Sequence, residues 1–264
     1  MSDGQSSGAD LRERVANACR VLGTLDLTPG TLGHASARIP GTKRILMRAR
    51  GPAELGVRYT TAEQVIEIGI DGRRGLGTDA PAAKDGFAAP LEVHIHTELY
   101  RSRPEINAVV HVHPQIPVLL SICDQPLLPI YGAYDPHGLR LLLDGVPTFE
   151  RSILIDTPAL GRDFAAVMGK AGACIMRGHG ITTAANSVEE ATLLAIHLNE
   201  LATMTYRALL LGNVRTLPPD EQETFRAMDI DAGYGDPTPG VPSGRAASLW
   251  RYFERRARDL SRRD

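Results

Sequence analysis

Five of the eight histidines fall in three short runs. They are Glu92-x-His94-x-His96, His111-x-His113, and His179 between Gly178 and Gly180. In a strand, residues i and i+2 project from the same face, so His111 and His113 can grip one ion. Both close the apolar run Ala108-Val109-Val110, which holds them at the rim of a core. His179 follows the apolar stretch Ala173–Met176, and its flanking glycines let the backbone bend and present one imidazole to a cleft. Glu92 and His96, spaced i and i+4, share one side of a helix. Neutral imidazole binds Zn, Mn, Co and Fe, and three imidazoles with one carboxylate leave a coordination position for water or substrate. Read singly, the His-x-His pair is as readily incidental, and Glu92 with His96 as readily a surface pair. The metal reading depends on the sets acting together.

The elements that must position these residues follow from periodicity. Leu11, Val15, Cys19 and Leu22 give the helical spacing after Asp10, predicting a helix to Thr24. Residues 31–59 read as short strands and tight turns, and Val65–Ile70 as an alternating strand running into Asp71-Gly72. Residues 73–90 read as a loop, and 90–101 as a helix stopped before Arg103-Pro104. Strands are expected at 108–113, 152–155 and 173–176, with helices after Pro114 and over 160–169. Ser187 and Glu190 form a capping-box pattern opening a helix that runs to Gly212. Residues 213–240 read as an irregular arm, and 245–264 as an arginine-rich helix whose Trp250 and Phe253 suit docking on a neighbouring subunit. Residues 1–9 form a flexible tail, 10–212 one domain, and 213–264 a C-terminal arm and helix packing on the same or a neighbouring subunit. Alternating strands and helices predict a single-domain α/β sandwich.

Composition removes several function classes. The chain has 264 residues, 43% hydrophobic and 23% charged, the proportions of a globular protein. A net charge of -2 argues against a nucleic-acid binder working through a broad basic field. No apolar run is long enough to span a membrane, and the N-terminus lacks the pattern of a secretory signal. Three cysteines without Cys-x-x-Cys argue against a disulfide framework and for the cytoplasm. Each sits among apolar neighbours and reads as a small buried hydrophobe.

Together the motifs resemble the class II aldolase/adducin family. The resemblance is carried by Pro90-Leu-Glu92 with His96 and Tyr100, Ser102-Arg-Pro104, Ala108-Val-Val-His111-Val-His113 and Arg177-Gly-His179-Gly180. Thr31-Leu-Gly33-His34-Ala-Ser36-Ala-Arg38 is similar to the family's early Gly-Asn-x-Ser-x-Arg segment. It implies a three-layer α/β/α sandwich with a catalytic domain over residues 10–212, a tetramer with active sites between subunits, and a divalent metal held by His111, His113 and His179. Glu92 would serve as ligand or general acid/base.

The departures bear on substrate. Sugar-phosphate members of the family hold phosphate with an Asn, a Thr/Ser-Gly turn and a Ser-Ser pair before the catalytic Glu. Here His34 replaces the Asn, Arg48-Ala-Arg50-Gly51 lies near the turn, and Pro90-Leu91 replaces Ser-Ser. Guanidinium groups suit planar carboxylates, and Leu91 suits a flat apolar ring. The chain thus resembles the branch that decarboxylates hydroxylated aromatic diacids such as 3,4-dihydroxyphthalate or a hydroxypyridine dicarboxylate. In that reading Glu92 or His96 delivers a proton, while His34, Arg48, Arg50 and Tyr134 bind substrate. Two readings compete: an aldolase or epimerase acting on a sugar phosphate or sugar acid, and an adducin-like binding module without catalysis.

Overall fold

The computed structural model describes residues 8–71, 86–230 and 239–261. Seven strands among them form one sheet: β1 (His34–Arg38), β2 (Arg44–Arg48), β3 (Val65–Gly69), β4 (Ala108–Val112), β5 (Thr148–Phe149), β6 (Ala173–Met176) and β7 (Gly180–Ala185). Their spatial order is β3-β2-β1-β4-β7-β6-β5. Every neighbouring pair is antiparallel except β5 with β6.

Period-two alternation divides this sheet between two cores. Ala108, Val110 and Val112 of β4 join Ala35, Ala37 and Ile181 on one face. That face is covered by α1 (Gly8–Thr24), α6 (Val188–Leu211) and α8 (Gly244–Ser261). Val109 joins Ile45, Met47, Ile68 and Cys174 on the other face, beneath α2 (Val93–Ser102) and α5 (Pro158–Met168). The result is the expected α/β/α sandwich. His34, Ser36 and His111 fall on the α2 face because their sequence neighbours fill the opposite core.

The remaining helices are α3 (Gln115–Ile122), α4 (Pro136–Asp144) and α7 (Pro219–Ala227). Asp135 caps α4 by accepting from Gly138 N at 3.1 Å, and also accepts from His197 Nδ1 at 2.9 Å, tying α4 to α6. Ser187 caps α6 by accepting from Glu190 N at 3.2 Å. The reciprocal half of the capping box is absent, because Glu190 Oε1 accepts from Ser243 N at 2.8 Å instead.

Several expectations are corrected. No strand forms at 152–155; the edge strand is Thr148–Phe149, and the buried Ile155 gives its N–H to Glu92. β7 was not anticipated, because its Gly-Ile-Thr-Thr-Ala-Ala text lacks a polar/apolar rhythm. The arm over 213–240 contains α7, whose start at Pro218-Pro219 suits the first helical turn. Of the two places open to the C-terminal helix, it takes one on its own chain: Trp250 and Ala257 enter the core built by α1 and α6, and Asn17 Nδ2 donates to Glu254 Oε1 at 2.6 Å. Cys123 is exposed, unlike the buried Cys19 and Cys174. Most of the expected tail over residues 1–9 and of the loop over 73–90 lies outside the described residues. No helix among them is long and apolar enough to cross a membrane.

Candidate active site

His111 lies in β4, directly opposite His34 of β1 and Thr182 of β7. His113 follows the end of β4. His179 sits in the turn between β6 and β7, its N–H donating to Met176 O at 3.0 Å. Two glycines shape this turn. Gly178 has φ +61, a conformation that L side chains rarely adopt. At Gly180 a Cβ would be driven into Val112 O and within 2.8 Å of His113 Cδ2, so only a glycine lets the turn close over β4. Glu92 is the residue before α2, and its Oε1 accepts from Ile155 N at 3.1 Å.

These four side chains converge, their ligand atoms all within 4.8 Å of one another. His113 Nε2 and His111 Nε2 are 2.9 Å apart, His111 Nε2 and Glu92 Oε2 3.5 Å, and His179 Nε2 and Glu92 Oε1 3.3 Å. The three imidazole rings meet edge to face, with centroids 4.8 to 5.0 Å apart. His111 Nδ1 lies 3.1 Å from both Ile181 O and Thr182 Oγ1, so its proton sits on Nδ1 and the bare Nε2 lone pair points into the cluster. Thr182 Oγ1 is itself oriented by donating to Met176 Sδ.

The donor set fits a divalent cation. Both ring nitrogens of the half-buried His179 are shielded from solvent without a hydrogen-bond partner among the described residues, although Nε2 lies 3.3 Å from Glu92 Oε1. Nitrogen and oxygen ligands about 2.1 Å from a tetrahedral ion stand ~3.4 Å apart, close to the spacings found. Burial pushes the His113 imidazole down to about 3, helped by His111 and His179, so it is neutral and ready to ligate. Burial likewise lowers His111, against the pull of Glu92. For Glu92, burial works to raise the carboxyl, but the pull of the adjoining His111 and His179 imidazoles prevails and holds it well below the usual carboxylate range.

Family membership is decided by the length of the match. Residues 13–206 match the Class II Aldolase and Adducin N-terminal domain. The chain belongs to the class II aldolase/adducin family. A 3,4-dihydroxyphthalate decarboxylase from a Terrabacter species is 38% identical over 225 residues, covering 85% of this chain and 92% of that protein. The protein of that name from Arthrobacter keyseri is 40% identical over 216 residues, covering 80% and 84%. Among solved structures, L-fuculose 1-phosphate aldolase from Glaciozyma antarctica superposes with a TM-score of 0.75 at 17% identity, covering 98% and 94%. That last likeness is one of fold.

The other residues singled out from the family's motifs are placed as follows. His96 is fully buried in α2, with Nε2 2.8 Å from His34 Nδ1 and Nδ1 2.7 Å from Ser36 Oγ, so it stands behind His34 and not at the ring of donors. Ser36 Oγ is in turn 2.9 Å from Tyr100 Oη.

Arg48 is 1% exposed and turned inward. Its guanidinium donates to Thr60 Oγ1, Thr31 O, Gly33 O and Glu54, which corrects its expected place on a substrate carboxylate. Arg50 is half-buried, anchored through Nε to Glu54 Oε1 at 2.7 Å and through Nη atoms to Thr31, with N–H groups to spare. Glu54, which clamps both arginines, was missed; an acid a few residues beyond a strand carries no signal of its own.

Tyr134 is 64% exposed and donates to Glu200 Oε1 at 3.0 Å, on the α6 side of the sheet away from His111. Within one chain the structure does not bring it to the histidine cluster.

Proposed function

We propose that this protein is a divalent-metal-dependent decarboxylase of a hydroxylated aromatic dicarboxylic acid, of the 3,4-dihydroxyphthalate or hydroxypyridine dicarboxylate kind. The observation that carries this reading is the likeness, at 38 to 40% identity across nearly the whole of each relative, to 3,4-dihydroxyphthalate decarboxylases. The convergence of His111, His113, His179 and Glu92 supplies the chemistry it requires.

Losing CO2 from an aromatic ring leaves an electron pair on the ring carbon that a proton must capture. His111, His113 and His179 would hold a divalent ion, which would supply Lewis acidity to a bound ortho-hydroxy acid. Glu92, ionised and anchored by Ile155 N, removes the hydroxyl proton as substrate binds. The ring–carboxylate bond then breaks, CO2 leaves, and Glu92 returns that proton to the carbon. His96 is too enclosed for this task, so the proton passes through Glu92 alone. Arg50 holds the second carboxylate, its planar fork matched to two oxygens. Leu91, largely exposed beside Glu92, offers the ring an apolar surface.

On the same reading residues 10–212 are one catalytic domain in a cytoplasmic homotetramer. Active sites then lie between subunits, where the exposed Tyr134 would meet a neighbour's cleft.

The test is CO2 release by metal-replete protein from a panel of ortho-hydroxy aromatic dicarboxylates, with sugar phosphates as controls. Metal-dependent release abolished by chelator supports the decarboxylase. Aldol cleavage or epimerisation of a control, with silence on every aromatic acid, favours the second reading, an enediolate-forming aldolase or epimerase. The shared fold with L-fuculose 1-phosphate aldolase keeps that reading in play.

A further inference from the structure

A buried file of polar side chains leads from the interior to the edge of the donor cluster: Tyr100 Oη, Ser36 Oγ, His96 and His34. All four residues are at most 3% exposed. Proton counting gives the file a direction. Tyr100 Oη has Ser36 Oγ as its one hydrogen-bonding partner among the described residues. Its hydroxyl hydrogen therefore goes to Ser36; reversed, it would be buried without an acceptor. Ser36, receiving from Tyr100, donates to His96 Nδ1. His96 thus carries its hydrogen on Nε2 and donates to His34 Nδ1. His34 in turn carries its hydrogen on Nε2. No described residue hydrogen-bonds that nitrogen, and it is not among the buried atoms left without a partner. The His34 ring lies 5.2 Å from that of His111, directly opposite it in the sheet, so the N–H borders the donor cluster.

We propose that Tyr100, Ser36 and His96 form a one-way hydrogen-bond chain that fixes His34 as a neutral Nε2–H donor, and that this donor grips an anionic oxygen of the aromatic carboxylate. The second half rests on the decarboxylase reading; the first does not. A neutral donor suits the place. An imidazolium there would face a dication in the cluster, whereas a neutral N–H approaches an anionic oxygen at no such cost. Tyr100, Ser36 and His96 are positioning residues: they touch no substrate and act by keeping the proton on the outer nitrogen of His34. An amide at position 34 could still donate, but no such chain would decide which of its atoms faces the cleft.

Two measurements test this. The first is 15N NMR of the imidazoles in metal-free and zinc-replete protein, which reads the tautomer without any activity. Wild type is expected to show His34 protonated on Nε2 only, and S36A and Y100F to show a mixture. A wild-type His34 protonated on Nδ1, or variants identical to wild type, overturns the chain. The second is steady-state CO2 release. His34→Phe is expected to lower kcat/KM about 10- to 100-fold, mostly through KM, as loss of a hydrogen bond to a charged group predicts. His34→Gln, which keeps an N–H donor, should recover most of that loss, whereas a merely structural role would leave both variants alike. If wild type releases CO2 and the KM of His34→Phe is unchanged, the grip on substrate is wrong while the decarboxylase stands. If wild type is silent on every aromatic acid, the decarboxylase reading fails and the tautomer measurement still decides the chain.

Discussion

His34 in β1 stands directly opposite His111 in β4, their ring centroids 5.2 Å apart and their planes tilted by 37°. One cross-strand pair thus joins a ring that ends a buried polar file to a ring that begins the donor cluster. The sheet's register sets this distance, so changes to either ring should be felt by the other.

Glu92→Gln keeps the size and a carbonyl oxygen for Ile155 N but cannot carry a proton to carbon. We expect turnover to fall about 10²- to 10⁴-fold, the usual worth of a positioned acid/base, while bound metal survives. Turnover measured beside metal content decides it. Retained activity would remove Glu92 from the proton path.

Removing the metal should also soften the fold. An ion that binds only the native state adds ~4 kcal/mol at a thousandfold excess over Kd. Chelated protein should therefore melt several degrees lower than zinc- or manganese-replete protein, and His111→Ala should melt low under both conditions. Thermal melts with and without chelator, beside elemental analysis, check this.

Arg48 and Arg50 share Glu54 but should answer differently to mutation. Arg48→Met leaves part of the buried Glu54 unpaired and strips hydrogen bonds from Thr31 O and Gly33 O. Because Glu54 keeps Arg50, the loss should fall somewhat below the ~3–5 kcal/mol of a fully uncompensated buried charge. Arg50→Met, at a side chain 34% exposed, should cost under ~1 kcal/mol but raise KM. Urea unfolding and steady-state kinetics on both variants separate the two roles.

Metal-free protein should lose stability in acid earlier than its carboxylates would dictate. Burial, assisted by the nearby His111, lowers His96 from 6.5 to about 3, and burial chiefly lowers His34 and His113 as well. Above pH 6.5 these groups are neutral folded or unfolded and contribute nothing. As pH falls below 6.5 the unfolded chain takes up protons that the folded one refuses, so stability declines toward pH 3. Each such histidine costs up to ~1.4 kcal/mol per pH unit in that window. Glu92 acts lower down: its depressed carboxyl adds stability above about 4.5 that is lost only in stronger acid. Denaturant midpoints at pH 7, 6 and 5 should already fall, and a flat profile would contradict the assigned burial.

The donor set was legible because its logic is local: His111 and His113 need only a strand, and His179 only a bend between glycines. What was hidden depended on register and on long-range partners. His96 shares helical spacing with Glu92, but spacing cannot say that β1 would place His34 and Ser36 on its two nitrogens. Arg48 and Arg50, two apart on one face of an extended segment, read alike, yet Arg48 closes β2 inside the fold and Arg50 lies past the strand's end, nearer the rim. The run 152–155 read as a strand because Ile155 is apolar and buried, whereas its N–H serves a carboxylate. The sequence leaves open whether Trp250 packs on its own chain or on a neighbour, because the apolar strip between α1 and α6 exists only once both have packed.

The pairing of β4 with β7 also sets an order of events during biosynthesis. His111 Nδ1 and its acceptor, Ile181 O, are separated by 70 positions in sequence. A chain emerging from the ribosome would hold Glu92, His111 and His113 long before it could offer His179. Until β7 zips onto β4, these are loose ligands in a polymer, open to any passing ion. Closing so distant a contact is slow, so tight capture would be among the last steps of maturation, and the ion admitted would be the one at hand when the hairpin shuts.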